Sequence, residues 1–182
     1  LEGRNGWASN SVISGNNVTN NINYGIILYM SSNNIVSGNN ITRNGYGVSL
    51  TNSTDNVLRE NILTLNKYSF RVTVWPYDPR SVSLSDFVND IDTSNTVNGK
   101  PIYYWINKRG MTVPHDAGYI ALVNCTQITV QDLNLTNDGQ GILLAYTSDS
   151  TITNNNMINN HFGVEMLKSS NNAIYGNSIT NS

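Results

Sequence analysis

A unit of about 22 residues recurs along this chain, and few folds can accommodate a period of that length. Residues 9–30 read Ser-Asn-Ser-Val-Ile-Ser-Gly-Asn-Asn-Val-Thr-Asn-Asn-Ile-Asn-Tyr-Gly-Ile-Ile-Leu-Tyr-Met. Residues 32–52 follow the same plan with Asn34-Ile35, Gly38-Asn39-Asn40-Ile41-Thr42 and Gly47-Val48-Ser49-Leu50. A looser copy carries Asn56-Val57, Asn61-Ile62, Asn66 and Phe70-Arg71-Val72, and the plan resumes after residue 120. The step is 23 from Val12 to Ile35, 22 from Gly25 to Gly47 and 22 from Gly141 to Gly163.

Within each unit the apolar residues fall at alternate positions in short runs, which is strand periodicity with one buried face. Asn, Ser, Thr and Gly between the runs are poor helix-interior residues. A leucine-rich repeat shares the period but needs Leu at most core positions, and here Ile and Val dominate. The expectation is an all-β chain, a right-handed parallel β-helix of about seven to eight rungs. One rung cannot bury enough to order itself, so rungs must stack. Asn40, Asn61, Asn155 and Asn177 are expected to bond along the stack as a ladder. Gly25, Gly47, Gly141 and Gly163 are expected to supply positive φ before the inner strand.

The 32 asparagines raise the alternative of a disordered low-complexity chain. Hydrophobic residues at 38%, recurring at fixed offsets from Asn and Gly, oppose it. The expected organisation is a single β-helix domain over 1–182, with regular rungs at 9–72 and 120–182 and irregular rungs at 73–119. Both ends look like cuts within a longer protein. All four prolines lie in the middle segment, with loops expected at 75–85 and 107–118 and a turn at Asn98-Gly99-Lys100-Pro101. Long loops on a rigid scaffold are where function concentrates.

A formal net charge of −2 without a basic stripe excludes nucleic acid as a main partner, and no apolar run is long enough to span a membrane. The single cysteine, Cys125, excludes an internal disulfide framework. Asp90 and Asp92 lie two apart and share a strand face. With Asp116 they are the candidate catalytic acids for sugar-bond chemistry, with Ca²⁺ as the one cofactor such a cluster suggests. A solvated strand face explains the pair as well. Trp75, Tyr77, Tyr103, Tyr104 and Trp105 are candidate sugar-stacking residues, or else bulky filler for an irregular rung. Cys125, His115, His161 and the methionines are spread over separate rungs, so no metal site is expected. Five Asn-x-Ser/Thr sequons, at Asn17, Asn40, Asn52, Asn124 and Asn134, are no more than the composition produces by chance, and a glycan at Asn40 or Asn134 would block the expected ladder.

The Asn-x-Ile/Val … Gly-Asn-x-Ile-Thr … Gly-Val-x-Leu units resemble the parallel β-helix repeats of the NosD-like and CASH (carbohydrate-binding and sugar hydrolase) families. The stretch from Ile91 to Tyr104 is similar to a segment of large archaeal surface proteins of that group. The resemblance implies an exported, extracellular or cell-surface setting. It is specific for fold and not for activity. Three functions follow as expectations. The first is a non-catalytic structural or carbohydrate-binding module, whose partners are a glycan or neighbouring domains of the same surface protein. The second is a polysaccharide lyase or glycoside hydrolase with its site at the 75–118 loops. The third is a filament or surface-layer unit built by homotypic end-to-end stacking.

Overall fold

A computed structural model describes residues 8–75 and 82–182, so the stacking candidate Tyr77 lies outside the described residues. The described residues wind into a solenoid of seven turns, each with three strands. The first three turns are β1 (Val12–Ser14), β2 (Asn17–Thr19), β3 (Tyr24–Tyr29); β4 (Ile35–Ser37), β5 (Asn40–Thr42), β6 (Tyr46–Thr51); and β7 (Val57–Arg59), β8 (Ile62–Thr64), β9 (Tyr68–Thr73). The fourth holds a short 3-10 turn, Leu84–Phe87, then β10 (Asp90–Ile91), β11 (Thr96–Val97) and β12 (Lys100–Ile106). The last three are β13 (Tyr119–Val123), β14 (Thr129–Gln131), β15 (Asn134–Thr136); β16 (Gln140–Ala145), β17 (Thr151–Thr153), β18 (Asn156–Ile158); and β19 (Phe162–Leu167), β20 (Ala173–Tyr175), β21 (Ser178–Thr180). Equivalent strands pair in parallel one repeat apart, as in Val12↔Ile35↔Val57. The parallel β-helix expected from the repeat is therefore the fold.

Corners are held by stacked amides. The Asn61 side chain accepts from the Asn39 backbone and amide nitrogens at 3.2 and 2.9 Å and donates to Asn95 Oδ1 and the Val36 carbonyl, both at 2.8 Å. Asn34–Asn56–Asn89 and Asn44–Asn66 form parallel ladders at the other two corners. In the later turns Asn155 donates to Asn177 Oδ1 at 2.9 Å, while Thr147 and Ser169 stack in one column of another corner and Ser150 and Asn172 in the next. Asn40 is a correction. It sits one residue past the corner, opposite Ile62, and bonds along the stack only on the outer face, donating to Asn17 Oδ1 at 3.2 Å, while Asn39 holds the buried ladder position with Asn61. Asn40 and Asn134 are exposed and bond to Asn17 and Asn156 on the outer face, so a glycan on either would meet those outer contacts and not the buried ladder.

The four glycines are a second correction. None has positive φ; that conformation falls instead on corner residues such as Asn20, Asn33 and Asn154. Gly47 is small for a different reason. A Cβ there would strike the Ser69 carbonyl and the Asn66 amide of the next turn. Gly141 is likewise crowded by the Gly163 carbonyl.

The middle departs from a simple distorted rung. Asn98 and Gly99, with φ of 49° and 81°, make a two-residue turn that pairs β11 with β12 antiparallel, Thr96 opposite Pro101 and Val97 opposite Lys100. β13, β16 and β19 then stack parallel to β12. The strands of the second half therefore run opposite to β2, β5, β8 and β11 within one eight-stranded sheet, ordered β19-β16-β13-β12-β11-β8-β5-β2. Within this sheet β13 and β16 are covered on both sides. Tyr119, Ala121, Val123, Leu143 and Ala145 join the core of the first turns, with Val48, Phe70 and Val72. Ile120, Leu122, Ile142 and Leu144 join a second core with Ile128, Leu135 and Ile152. Unbroken apolar runs are what a sheet buried on both faces requires.

Candidate functional site

Where the two halves of the solenoid meet, the free edge of β9 receives the segment before β16. The Ser69 amide donates to the Asn137 carbonyl at 2.6 Å, and the Gly139 amide to the Phe70 carbonyl at 2.9 Å. Gly139 lies against the Arg71 side chain, an approach that leaves no room for a Cβ. Behind this seam sits a polar cluster. Gln140 donates to the Val72 carbonyl at 2.8 Å and to Glu165 at 2.6 Å, and accepts from the Tyr119 hydroxyl at 3.1 Å. Asp138 is fully buried, and no hydrogen bond of normal geometry reaches either carboxyl oxygen. Burial pushes its pKa well above the usual carboxylate range, and the nearby Phe70 backbone offsets this only in part. Glu165 is raised in the same direction by burial, against the pull of Gln140 and Arg71.

In front of the seam runs an aromatic row. Tyr24, Tyr46 and Tyr68 open β3, β6 and β9 in register. Their rings lie 5.2 and 5.0 Å apart along the stack. His161, from the turn before β19, packs edge-on at 5.4 Å from Tyr68, with Phe162 beyond it. Lys67 lies 5.2 Å from the Tyr68 ring, and the Arg71 guanidinium lies 5.7 Å from Tyr46 and 5.8 Å from Phe162. A cavity of about 380 Å³ borders the row at Tyr24, Tyr46, Lys67, Tyr68 and His161. A second, of about 340 Å³, lies between Tyr24, Tyr29, Arg71 and Trp75. Together they form a groove with flat rings, hydroxyl rims and cations. Burial raises the Tyr46 pKa and lowers that of His161, which Arg71 and Lys67 depress further.

Sequence reasoning missed this row, although its signal was present: a Tyr just ahead of a Gly or Ser at 24, 46 and 68, at the repeat spacing. The aromatic candidates drawn from the middle segment do not form one platform. Trp75 is exposed and borders the groove. Tyr104 points into the first core, its hydroxyl donating to the Phe87 carbonyl at 2.5 Å. Tyr103 and Trp105 pack edge-to-face on the opposite side of β12, against the second core.

The candidate acids are also separated. Arg59 holds both Asp90, at 2.5 Å, and Asp92, at 3.1 Å. Asp92 further caps the turn through the Ser94 amide and hydroxyl. Asp116 accepts from the Tyr103 hydroxyl at 2.9 Å. Asp90 borders a cavity of about 390 Å³ with Asp55, but neither Asp92 nor Asp116 lines it, and the Arg59 guanidinium is paired with both Asp90 and Asp92. Arg59→Ala is expected to cost less than about 1 kcal/mol in urea unfolding, because the pair is largely exposed. A loss several times larger would show that the carboxylates are structural.

The family model for a periplasmic copper-binding protein (NosD) matches residues 6–113 and 109–182. The chain belongs to the NosD family. No curated protein matched it. The NosD description names copper, which favours thiolate, thioether and imidazole ligands. In this NosD-family chain those groups do not converge. The Cys125 thiol is buried, donating to the Trp105 and Val123 carbonyls, and burial raises its pKa. Met157 fills the second core, His161 packs in the groove, and His115 and Met111 are exposed on a loop. Among the described residues no three His, Cys, Asp or Glu side chains could hold a metal. The donor set does not fit a copper ion. Among them, too, no helix is long and apolar enough to cross a membrane.

Proposed function

We propose that this chain is a non-catalytic module of an exported protein that binds a glycan along the groove beside β3, β6 and β9. The observation that carries this reading is the registered row of Tyr24, Tyr46 and Tyr68, flanked by Trp75 on one side and His161 on the other. Sugars bind through apolar ring faces and many hydroxyls; the stacked tyrosines present ring edges and hydroxyl rims, and the exposed Trp75 indole beside them supplies ring surface. The rigid stack holds these groups about one strand spacing apart, so little ordering is required when a ligand docks. Acid–base catalysis has no comparable support, since each candidate acid is already engaged. The periplasmic description of the family supports an exported setting.

The test is a titration of the folded chain with a panel of short neutral and acidic oligosaccharides, followed by NMR or calorimetry. Tyr46→Ala is expected to weaken binding about tenfold, the loss of one stacked ring and its hydroxyl. Trp105→Ala should leave binding unchanged and lower the melting temperature, because that ring packs against the second core. Absence of binding across the panel, or an equal loss from both variants, would overturn the reading.

A further inference from the structure

We infer that the groove selects an acidic glycan, one bearing carboxylate or sulfate groups, and seats an anionic group among Lys67, Arg71 and His161. This rests on the glycan reading above and adds the charge of the ligand.

The basis is the distribution of charge around the tyrosine row. Lys67 is exposed and Arg71 half-buried, and both lie beside the rings. Among the described residues the only salt bridges are the two made by Arg59, so neither groove cation is neutralised by a carboxylate in contact. The Arg71 Nε is buried and has no hydrogen-bond partner among the described residues. Among the described residues no Asp or Glu lines either cavity of the groove. The acids behind it are engaged or enclosed: Glu165 accepts from Gln140, and Asp138 is fully buried. In a chain whose net charge is −2, a groove whose cations make no salt bridge among the described residues, Arg71 acting on Glu165 only electrostatically, is complementary to an anion.

His161 reports on the same field. The charged and titratable groups facing it are Tyr46 and Tyr68 on the first strands of the row, Lys67 beside them, and Arg71 on β9. Burial comes first among the causes that lower its pKa, followed by Arg71 and Lys67. An anion seated there offsets the two cations and favours imidazolium. Binding is therefore expected to raise the His161 pKa, and by linkage affinity increases as pH falls through that pKa.

The experiment compares oligouronides and sulfated oligosaccharides with the same uronides methyl-esterified at their carboxyls, and with polyglutamate as an acidic polymer without sugar. Affinity is measured by calorimetry and His161 ring shifts by NMR across pH. The acidic sugars are expected to bind about tenfold more tightly than their esters, the effect of one charge-assisted contact. Lys67→Gln should weaken the acidic sugar about tenfold, toward the affinity of the ester, and weaken the ester several times less. Lys67 is exposed, so this variant keeps the fold; Tyr46→Ala, in contrast, should weaken both ligands. Equal binding of acid and ester, with no shift of the His161 pKa, would overturn the charge inference and leave the glycan reading standing. Equal binding of polyglutamate would overturn both, as would failure of every sugar to bind.

Discussion

Replacing Asn61 with alanine is expected to destabilise the chain by about 3–5 kcal/mol, because several buried polar groups lose their partners at about 1–3 kcal/mol each. Asn61 is fully buried at a corner between turns. Without its side chain the Asn39 backbone and amide nitrogens lose their acceptor, and the Val36 carbonyl and Asn95 Oδ1 lose a donor. Water cannot replace these contacts without opening the stack. Urea unfolding measures the cost. Asn61→Asp separates packing from hydrogen bonding: it keeps the acceptor for Asn39 but turns an oxygen toward the Val36 carbonyl, and should be no better tolerated than alanine. Asn40→Ala, one corner residue away but exposed, is expected to cost under about 0.5 kcal/mol. Similar losses at positions 40 and 61 would mean that the ladder contributes nothing specific.

The second large effect concerns Asp138. Its folded-state pKa is raised by burial, so the folded chain holds this proton more tightly than the unfolded chain does. The resulting stabilisation is fully present below the unfolded value of about 3.9 and is lost as pH rises through the folded pKa. Glu165 acts with the same sign. The chain is therefore expected to be more stable near pH 5 than near pH 8, contrary to proteins stabilised by paired carboxylates. Asp138→Asn keeps the shape and removes the titration. It should flatten that dependence and gain about 1–3 kcal/mol near pH 8, the scale of an unpartnered buried polar group. Thermal unfolding at the two pH values decides it. A destabilised Asn variant near pH 8 would show that the ionised carboxylate is held by a favourable interaction.

The solenoid was legible in the sequence because burial and repetition coincide: Val36 and Leu58, or Ile41 and Leu63, are inward columns at the repeat spacing, which Ile91 and Val97 continue after a longer step. The Asn98-Gly99 turn was legible for an equally local reason, positive φ at two consecutive residues. The reversal that this turn produces was not. A two-residue hairpin reads the same whether the coil continues or turns back, and the outcome depends on which face each later strand buries. One clue lay in Tyr119-Ile120-Ala121-Leu122-Val123 and Ile142-Leu143-Leu144-Ala145, runs with no polar alternation. Asn40 was misplaced because Asn39 and Asn40 are chemically identical neighbours, and one residue of slip moves a side chain from the corner to the outer face. The groove escaped notice since half of it, His161 and Phe162, comes from a turn nearly a hundred residues distant from Tyr68.

The shared sheet also limits how this architecture can vary. Arrays of stacked units ordinarily lengthen or shorten by whole copies, since each unit touches only its neighbours. Here β13 and β16 are covered on both faces, and the wall contributed by the turn before β19 stands opposite tyrosines contributed by β6 and β9. Duplicating one turn between β9 and β16 would slide His161 past the row by about 5 Å, one interstrand spacing. Copy number is thus free to drift at the outer turns and pinned at the junction, which gives the groove a defined width in a scaffold whose remaining dimensions are adjustable.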